Sequence, residues 1–323
     1  MKYVAGIDIG GTKCAVSIGK VSDDQIEIVD KIKMATPYEP SEAISALLDA
    51  LRSLLIKHQD KSIESIGISC GSPLDSEKGL ILSPPNLSNW DQVDIVTPFV
   101  EAFHVPCRIQ NDANACALAE WMWGAGKGCK NMIFLTFGTG MGAGLILNNQ
   151  LYVGANDMAG EVGHIRLEED GPVGYHKAGS FEGFCSGGGI AKLAISMVKE
   201  YTDQGRQTEI LNIQPVLDKV TTADVGMAAE RGDELANKIF HLVGEKLGKG
   251  LAVLIDILNP QRIVIGSIFM RQEGLLREPM ETIIAKEALS YSSKVCEIVP
   301  AGLGEQIGDF AAFSVAMNAI RRV

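Results

Sequence analysis

Runs rich in apolar and β-branched residues at 4–9 and 13–18 flank Gly10-Gly11-Thr12, which predicts two strands joined by a glycine turn. Residues 25–34 alternate apolar with polar and predict a third strand. From 41 to 58 the period changes to that of a helix, with Ile44, Leu47, Leu48, Leu51, Leu54 and Leu55 on one face. Strands follow at 65–69 and 105–109, and Asn111-Asp112 opens a helix carrying Ala115, Leu118, Ala119 and Met122. The grammar then restarts. An apolar run at 132–137, a turn at Gly138-Thr139-Gly140 and a second run at 144–147 repeat the first hairpin in outline. That repetition hints at a duplicated half, although glycine turns are common in hairpins of any origin.

The C-terminal half holds a long helix. Asp233 can cap it, an apolar face runs from Leu235 to Leu258, and Asn259-Pro260 stops it. Gly244, Gly248 and Gly250 lie inside, each at a propensity cost of roughly 1 kcal/mol, so close packing of a neighbour is expected there. Strands are expected at 262–266 and 295–299, with a terminal helix after them.

A length of 323 residues fits about two domains. The balance of 29 Lys+Arg against 40 Asp+Glu gives a net charge of −11, which argues against nucleic acid or an anionic membrane as a partner. The 7 cysteines are odd in number and include no Cys-x-x-Cys, so reduced thiols in the cytoplasm are expected rather than a disulfide framework. Asp8 interrupts the N-terminus before any apolar run develops, so no secretory signal is expected. The apolar run at 133–147, which Asn148-Asn149-Gln150 end, is too short for the ~20 apolar residues of a membrane span.

Four motifs carry candidate chemistry. In Asp8-Ile9-Gly10-Gly11-Thr12-Lys13 the glycines let backbone N–H groups approach phosphate oxygens, Thr12 adds a hydroxyl, Lys13 adds a positive charge, and Asp8 can hold Mg²⁺ through water. An ordinary hairpin with a surface Asp is the plainer alternative. Gly138-Thr139-Gly140-Met141-Gly142-Ala143-Gly144 places four glycines between two apolar strands, at an entropic cost that a ligand loop explains better than a plain turn. Asn111 and Asp112 stand at a strand end where a sugar hydroxyl can be oriented and deprotonated, or where Asp112 simply caps the helix. Glu161 and His164, with Glu182 further on, suit a vicinal diol, against the alternatives of a surface ion pair or a metal site that would need His176 or Cys185.

Together these segments resemble the ROK family of sugar kinases, within the actin/hexokinase/Hsp70 ATPase superfamily, and the match of order and spacing runs over almost the whole chain. The resemblance implies an α/β fold of two ribonuclease-H-like, actin-type domains with an interdomain cleft. The expected domains are 1–112 and 113–308, with a terminal helix at 309–323 packed back on the first. It implies an ATP-dependent hexose kinase, glucokinase-like, that phosphorylates a sugar hydroxyl, expected to be the 6-OH. Asp112 would be the general base, and Gly71, Asn111, Glu161, His164 and Glu182 would bind the sugar. Asp8, Gly10, Gly11, Thr12, Lys13, Gly138, Thr139, Gly140 and Gly266 would bind ATP, with Mg²⁺ held by Asp8 through water. A homo-oligomer, expected as a dimer, follows from the same resemblance.

Three departures stand out. Val173, Tyr175 and Ser180 replace the three cysteines of the family's zinc motif, so no structural zinc is expected. The adenosine-binding run of glycines is Gly266-Ser267-Ile268, and the sugar-loop motif is Cys70-Gly71-Ser72-Pro73. ROK repressors, which carry an N-terminal winged helix, and a non-catalytic sugar-binding or regulatory protein are the rival readings. The start of the chain only seven residues before Asp8 is expected to exclude the former.

Overall fold

The computed structural model describes residues 2–22 and 25–321; Met1 and residues 322–323 of the expected terminal helix lie outside the described residues. The chain runs β1 (Lys2–Ile9), β2 (Lys13–Val21), β3 (Ile26–Ala35), α1 (Pro40–Lys57) and β4 (Ile63–Cys70). A small ribbon follows, β5 (Leu74–Asp75), β6 (Leu80–Ile81) and β7 (Val93–Asp94), then α2 (Thr97–Phe103), β8 (Cys107–Asn111) and α3 (Asp112–Trp123). Next come β9 (Met132–Phe137), β10 (Met141–Leu147), β11 (Gln150–Tyr152), the hairpin β12 (Val173–Gly174) and β13 (Lys177–Ala178), α4 (Phe181–Phe184) and α5 (Gly187–Asp203). The remainder is α6 (Glu209–Ile213), α7 (Thr222–Glu230), α8 (Glu234–Leu258), β14 (Arg262–Ile265), α9 (Ile268–Glu287), α10 (Ser290–Ser293), β15 (Glu297–Pro300) and α11 (Ile307–Arg321).

One sheet has the order β3-β2-β1-β4-β8 and another the order β11-β10-β9-β14-β15. Numbered within each sheet, both read 3-2-1-4-5. The duplication hinted at by the two glycine hairpins is thus present as a shared topology, the order expected of the ribonuclease-H-like fold. In the first sheet β1 pairs antiparallel with β2 and parallel with β4, and β4 pairs parallel with β8.

Two compact units result: residues Met1–Phe134, Gly144–Ala159 and Gly302–Val323, and residues Leu135–Ala143 with Gly160–Ala301. The sequence drew its boundary at residue 112. Helix α3 lies beyond that point but packs against α11, which itself lies on β1 and β4.

In the first unit, α1 buries Leu47, Leu51 and Leu54 against Ile7, Val16, Ile18, Ile66 and Ile68 of the sheet. Burying each such side chain fully contributes roughly 1.5–3 kcal/mol. Helix α11 covers the other face. The Phe313 ring occupies the space where Gly6 and Gly19 would carry a Cβ, and Ser65 Oγ donates to the Ala316 carbonyl at 2.8 Å. The Ala312 carbonyl meets Gly67, so α11 runs opposite to β4 and its first turn reaches the C-terminal strand ends, where Asp8 lies.

In the second unit, α8 packs along α9. Pro279 sits over Gly244, Met280 and Ile283 over Gly248, and the Phe181 ring over Gly250, so the three glycines mark close approach as expected. Asp233 caps α8, its Oδ1 accepting the Ala236 N–H at 2.7 Å. Helices α5 and α9 escaped the sequence pattern. The first opens on three glycines, and the second is kinked at Gln272 and contains Pro279. No disulfide joins any of the seven cysteines among the described residues, and burial pushes the Cys70 thiol up to about 12. Among the described residues no helix is long and apolar enough to cross a membrane.

Candidate functional site

In the first unit a cavity of about 310 Å³ is lined by Asp8, Gly10, Gly11, Gly71, Asn86 and Asp112, among others. Three strand ends converge on it, β1 with Asp8, β4 with Gly71 after it, and β8 with Asn111. Asn111, and not Asp112, caps α3: its Oδ1 accepts the Asn114 N–H at 2.8 Å and its side chain is buried. The Asn111 carboxamide oxygen is therefore engaged in the cap, and the amide nitrogen is the donor this side chain can offer a ligand. Asp112 is the first residue of the helix, open to solvent in the cavity, and one carboxylate oxygen accepts the Ala113 N–H at 2.8 Å. The protein mass around Asp112 pushes its carboxyl pKa up, and the backbone N–H bonds offset this only in part.

Asp8 is half-buried, and its pKa is pushed up to about 6. Burial is the main cause, with the Asp309 carboxylate next; Lys31 offsets some of this and Asp112 adds to it. Lys31 also pairs with Asp309. Carboxylates that repel one another in a cavity are what a divalent cation relieves, so Asp8 fits the Mg²⁺ expected of it.

The β1–β2 turn is braced from outside. Gly10 N–H donates to the Lys13 carbonyl at 3.1 Å, and Thr36 Oγ1, from just beyond β3, donates to the Gly10 carbonyl at 2.6 Å. Thr12 and Lys13 are exposed at the tip. Gly11 is needed for a reason the sequence reading did not supply: a Cβ there would lie 2.6 Å from Asn86 Cβ and 2.7 Å from its carbonyl oxygen. Thr36 and Asn86 are additions to the expected site. Their only sequence signals are adjacent prolines, Pro37 and Pro84-Pro85.

In the second unit a cavity of about 490 Å³ is lined by Gly138, Thr139, Gly187, Thr222, Ser267 and Arg271, among others. Thr136 Oγ1 accepts the Gly142 N–H at 2.9 Å, and Gly187 N–H at the start of α5 donates to the Gly138 carbonyl at 2.7 Å. Gly266 directly follows β14, and its N–H donates to the Leu135 carbonyl at 3.0 Å. Ser267, where the family pattern has glycine, has φ 55° and ψ −107°, and its Oγ caps no backbone N–H of α9. Such a backbone costs a non-glycine residue about 1–3 kcal/mol. The cavity has the volume of a small-ligand site.

Glu161 precedes and His164 ends a single 3₁₀ turn, Val162–His164, and both are exposed. Glu182, in α4, faces the glycine loop: its Oε2 accepts the Met141 N–H at 3.1 Å and lies 3.0 Å from where Gly140 would carry a Cβ. It thus ties the segment expected to bind sugar to the loop expected to bind phosphate. The former cysteine positions do not fit zinc. Val173 pairs with Ala178, Tyr175 forms the hairpin tip and Ser180 caps α4. Cys185 is buried, with Sγ directed at the Val243 carbonyl. Among the described residues no three His, Cys, Asp or Glu side chains are grouped to hold a metal.

Comparison with known proteins bears on these cavities. The chain is 31% identical to the glucokinase of Halalkalibacterium halodurans over 95% of its length and 92% of that protein's. It is 32% identical to the Escherichia coli DNA-binding transcriptional dual regulator NagC over 84% of the chain and 66% of that protein. The solved structure of a Streptomyces griseus ROK family glucokinase in complex with glucose and AMPPNP matches with a TM-score of 0.76 and 26% identity, covering 98% of this chain and 99% of that one. The model of the ROK family matches residues 4–319, and the chain belongs to that family.

Proposed function

We propose that the protein is a hexose kinase in which Asp112 is the general base for phosphoryl transfer from ATP to a sugar hydroxyl, the 6-OH. The observation that carries this is the division of labour at α3. Asn111 meets the helix's need for a cap, which leaves the Asp112 carboxylate in a cavity beside Asp8 and Gly71. A carboxylate with a raised pKa is a better proton acceptor near neutral pH than an ordinary surface Asp.

In this account the free Asp112 oxygen accepts the proton as the sugar oxygen forms its bond to phosphorus. The bond from phosphorus to the bridging oxygen breaks, and ADP leaves with that electron pair. Gly71, the Asn111 amide, Glu161, His164 and Glu182 orient the ring hydroxyls. Gly10 and Gly138 close their turns with their own N–H groups, Gly11 to Lys13 and Thr139 to Gly140 present backbone N–H groups and hydroxyls to phosphate oxygens, and Gly266 lets the chain pass close to the nucleoside. Asp8 would hold Mg²⁺ through water, and the ion would neutralise charge on the phosphates.

Two glucokinases among the relatives compared, one of them a structure containing AMPPNP, support a kinase. The similarity to NagC and the Ser at 267 favour a second reading, a sugar-responsive protein without turnover. Phosphorus NMR of the product from MgATP and glucose, mannose, fructose, allose or an N-acetylhexosamine tests the proposal. A 6-phosphate supports it. Phosphate on another carbon removes the 6-OH assignment. Absence of product with every sugar, together with no nucleotide binding, favours the second reading.

A further inference from the structure

We propose that the β12–β13 hairpin clamps His164 without metal, with Tyr175 and Lys177 as positioning residues in place of the family's zinc. This rests on the reading that His164 contacts the sugar.

Gly174 pairs with Lys177, so Tyr175 and His176 form a two-residue loop. Both have positive φ, 37° and 63°. Loops of this kind favour Asn-Gly or Gly-Gly, and a tyrosine there is strained. Nothing in the hairpin's own pairing requires an aromatic residue at that position. The Tyr175 ring instead meets His164 edge-on, with centroids 6.3 Å apart, and Lys177 Nζ donates to the His164 carbonyl at 2.7 Å. One contact restrains the imidazole and the other restrains its backbone.

The base of the hairpin is fixed to the rest of the unit. A Cβ on Gly174 would collide with the Gly183 N and the Glu182 Cβ, so the hairpin lies directly on the turn that carries Glu182. Arg166 Nη1 donates to the Ala178 carbonyl at 2.9 Å, Ser180 Oγ donates to the Gly174 carbonyl at 3.4 Å, and Gly179 N–H donates to the Pro172 carbonyl at 3.2 Å. These bonds hold the loop closed at the positions where cysteines would otherwise meet a metal.

The test uses the intact protein and four variants. Tyr175→Gly relieves the backbone strain and removes the ring, so thermal stability is expected to hold or rise while the sugar KM rises about three- to tenfold at unchanged kcat. Lys177→Met is expected to raise KM by a similar factor. Tyr175→Phe keeps the ring and is expected to match the parent, and His164→Ala is expected to mask the effect of Tyr175→Gly. The proton NMR resonance of the His164 ring is expected to move in Tyr175→Gly and not in Tyr175→Phe. Unchanged KM in Tyr175→Gly, or a His164 resonance that does not move, overturns the clamp. So does a rise in the parent's KM on treatment with 1,10-phenanthroline. A parent with no sugar turnover counts against the kinase reading, and the His164 resonance alone then decides whether the clamp exists.

Discussion

Asn111 Oδ1 accepts the Asn114 N–H at 2.8 Å, and this bond gives the cap of α3 to the residue before Asp112. The two neighbours therefore have separable jobs. Asp112→Asn is expected to lower turnover at least ~100-fold, the scale of a lost general base, with sugar affinity largely kept. Asn111→Ala is expected to cost about 1 kcal/mol of stability through the lost cap, read by urea unfolding. Near-parental turnover in Asp112→Asn contradicts the assignment.

Asp8 makes the opposite trade. Burial pushes its carboxyl pKa up to about 6, above the ordinary aspartate value of about 3.9, so the native state holds the proton more tightly than the unfolded chain. The stability this confers is fully present below about pH 4 and is lost as the pH rises through 6. Asp8→Asn is therefore expected to stabilise the protein by about 1–3 kcal/mol at pH 7 and by nothing at pH 3.5, while Mg²⁺-dependent turnover falls. Calorimetry at the two pH values checks the sign. Parental turnover is expected to decline below about pH 6 as Asp8 gains its proton.

The acceptor role of Glu182 toward Met141 N–H predicts a difference between two substitutions. Glu182→Gln keeps an acceptor and Glu182→Ala does not. The alanine variant alone is expected to raise the KM for ATP, by about three- to tenfold, the worth of one backbone hydrogen bond. Equal effects on ATP in both variants contradict the tie between α4 and the glycine loop.

Ser267 has a backbone conformation that glycine adopts cheaply. Ser267→Gly, which restores the family residue, is expected to raise stability by about 1 kcal/mol and to leave nucleotide affinity equal or tighter. A drop in the melting temperature shows that the Ser267 side chain contributes more than the strain costs.

Much of the frame was legible because its signals are local. Paired strands 4–9 and 13–18, the amphipathic helix after Ser41 and the Asp233 cap each depend on a few neighbouring residues, and each appears as expected, with ends shifted by one to a few residues. What was not legible depends on distant contacts. Helix α5 begins on three glycines because Ser186 caps it and α4 presses against Gly189. Helix α9 tolerates Pro279 because it packs on Gly244. The backbone of Asn86 sets Gly11, and Thr36 secures Gly10 from just beyond the end of β3. Tyr175 and His176 have no turn signature of their own, so the hairpin between β12 and β13 could not be read ahead of the structure.

The most direct test of the central claim is ADP release from MgATP over a panel of hexoses and N-acetylhexosamines, with the parent and Asp112→Asn side by side and with and without a zinc chelator. The account expects sugar-dependent release by the parent, loss of release in Asp112→Asn, and no effect of the chelator. Release that is independent of sugar, or that survives in Asp112→Asn, contradicts it.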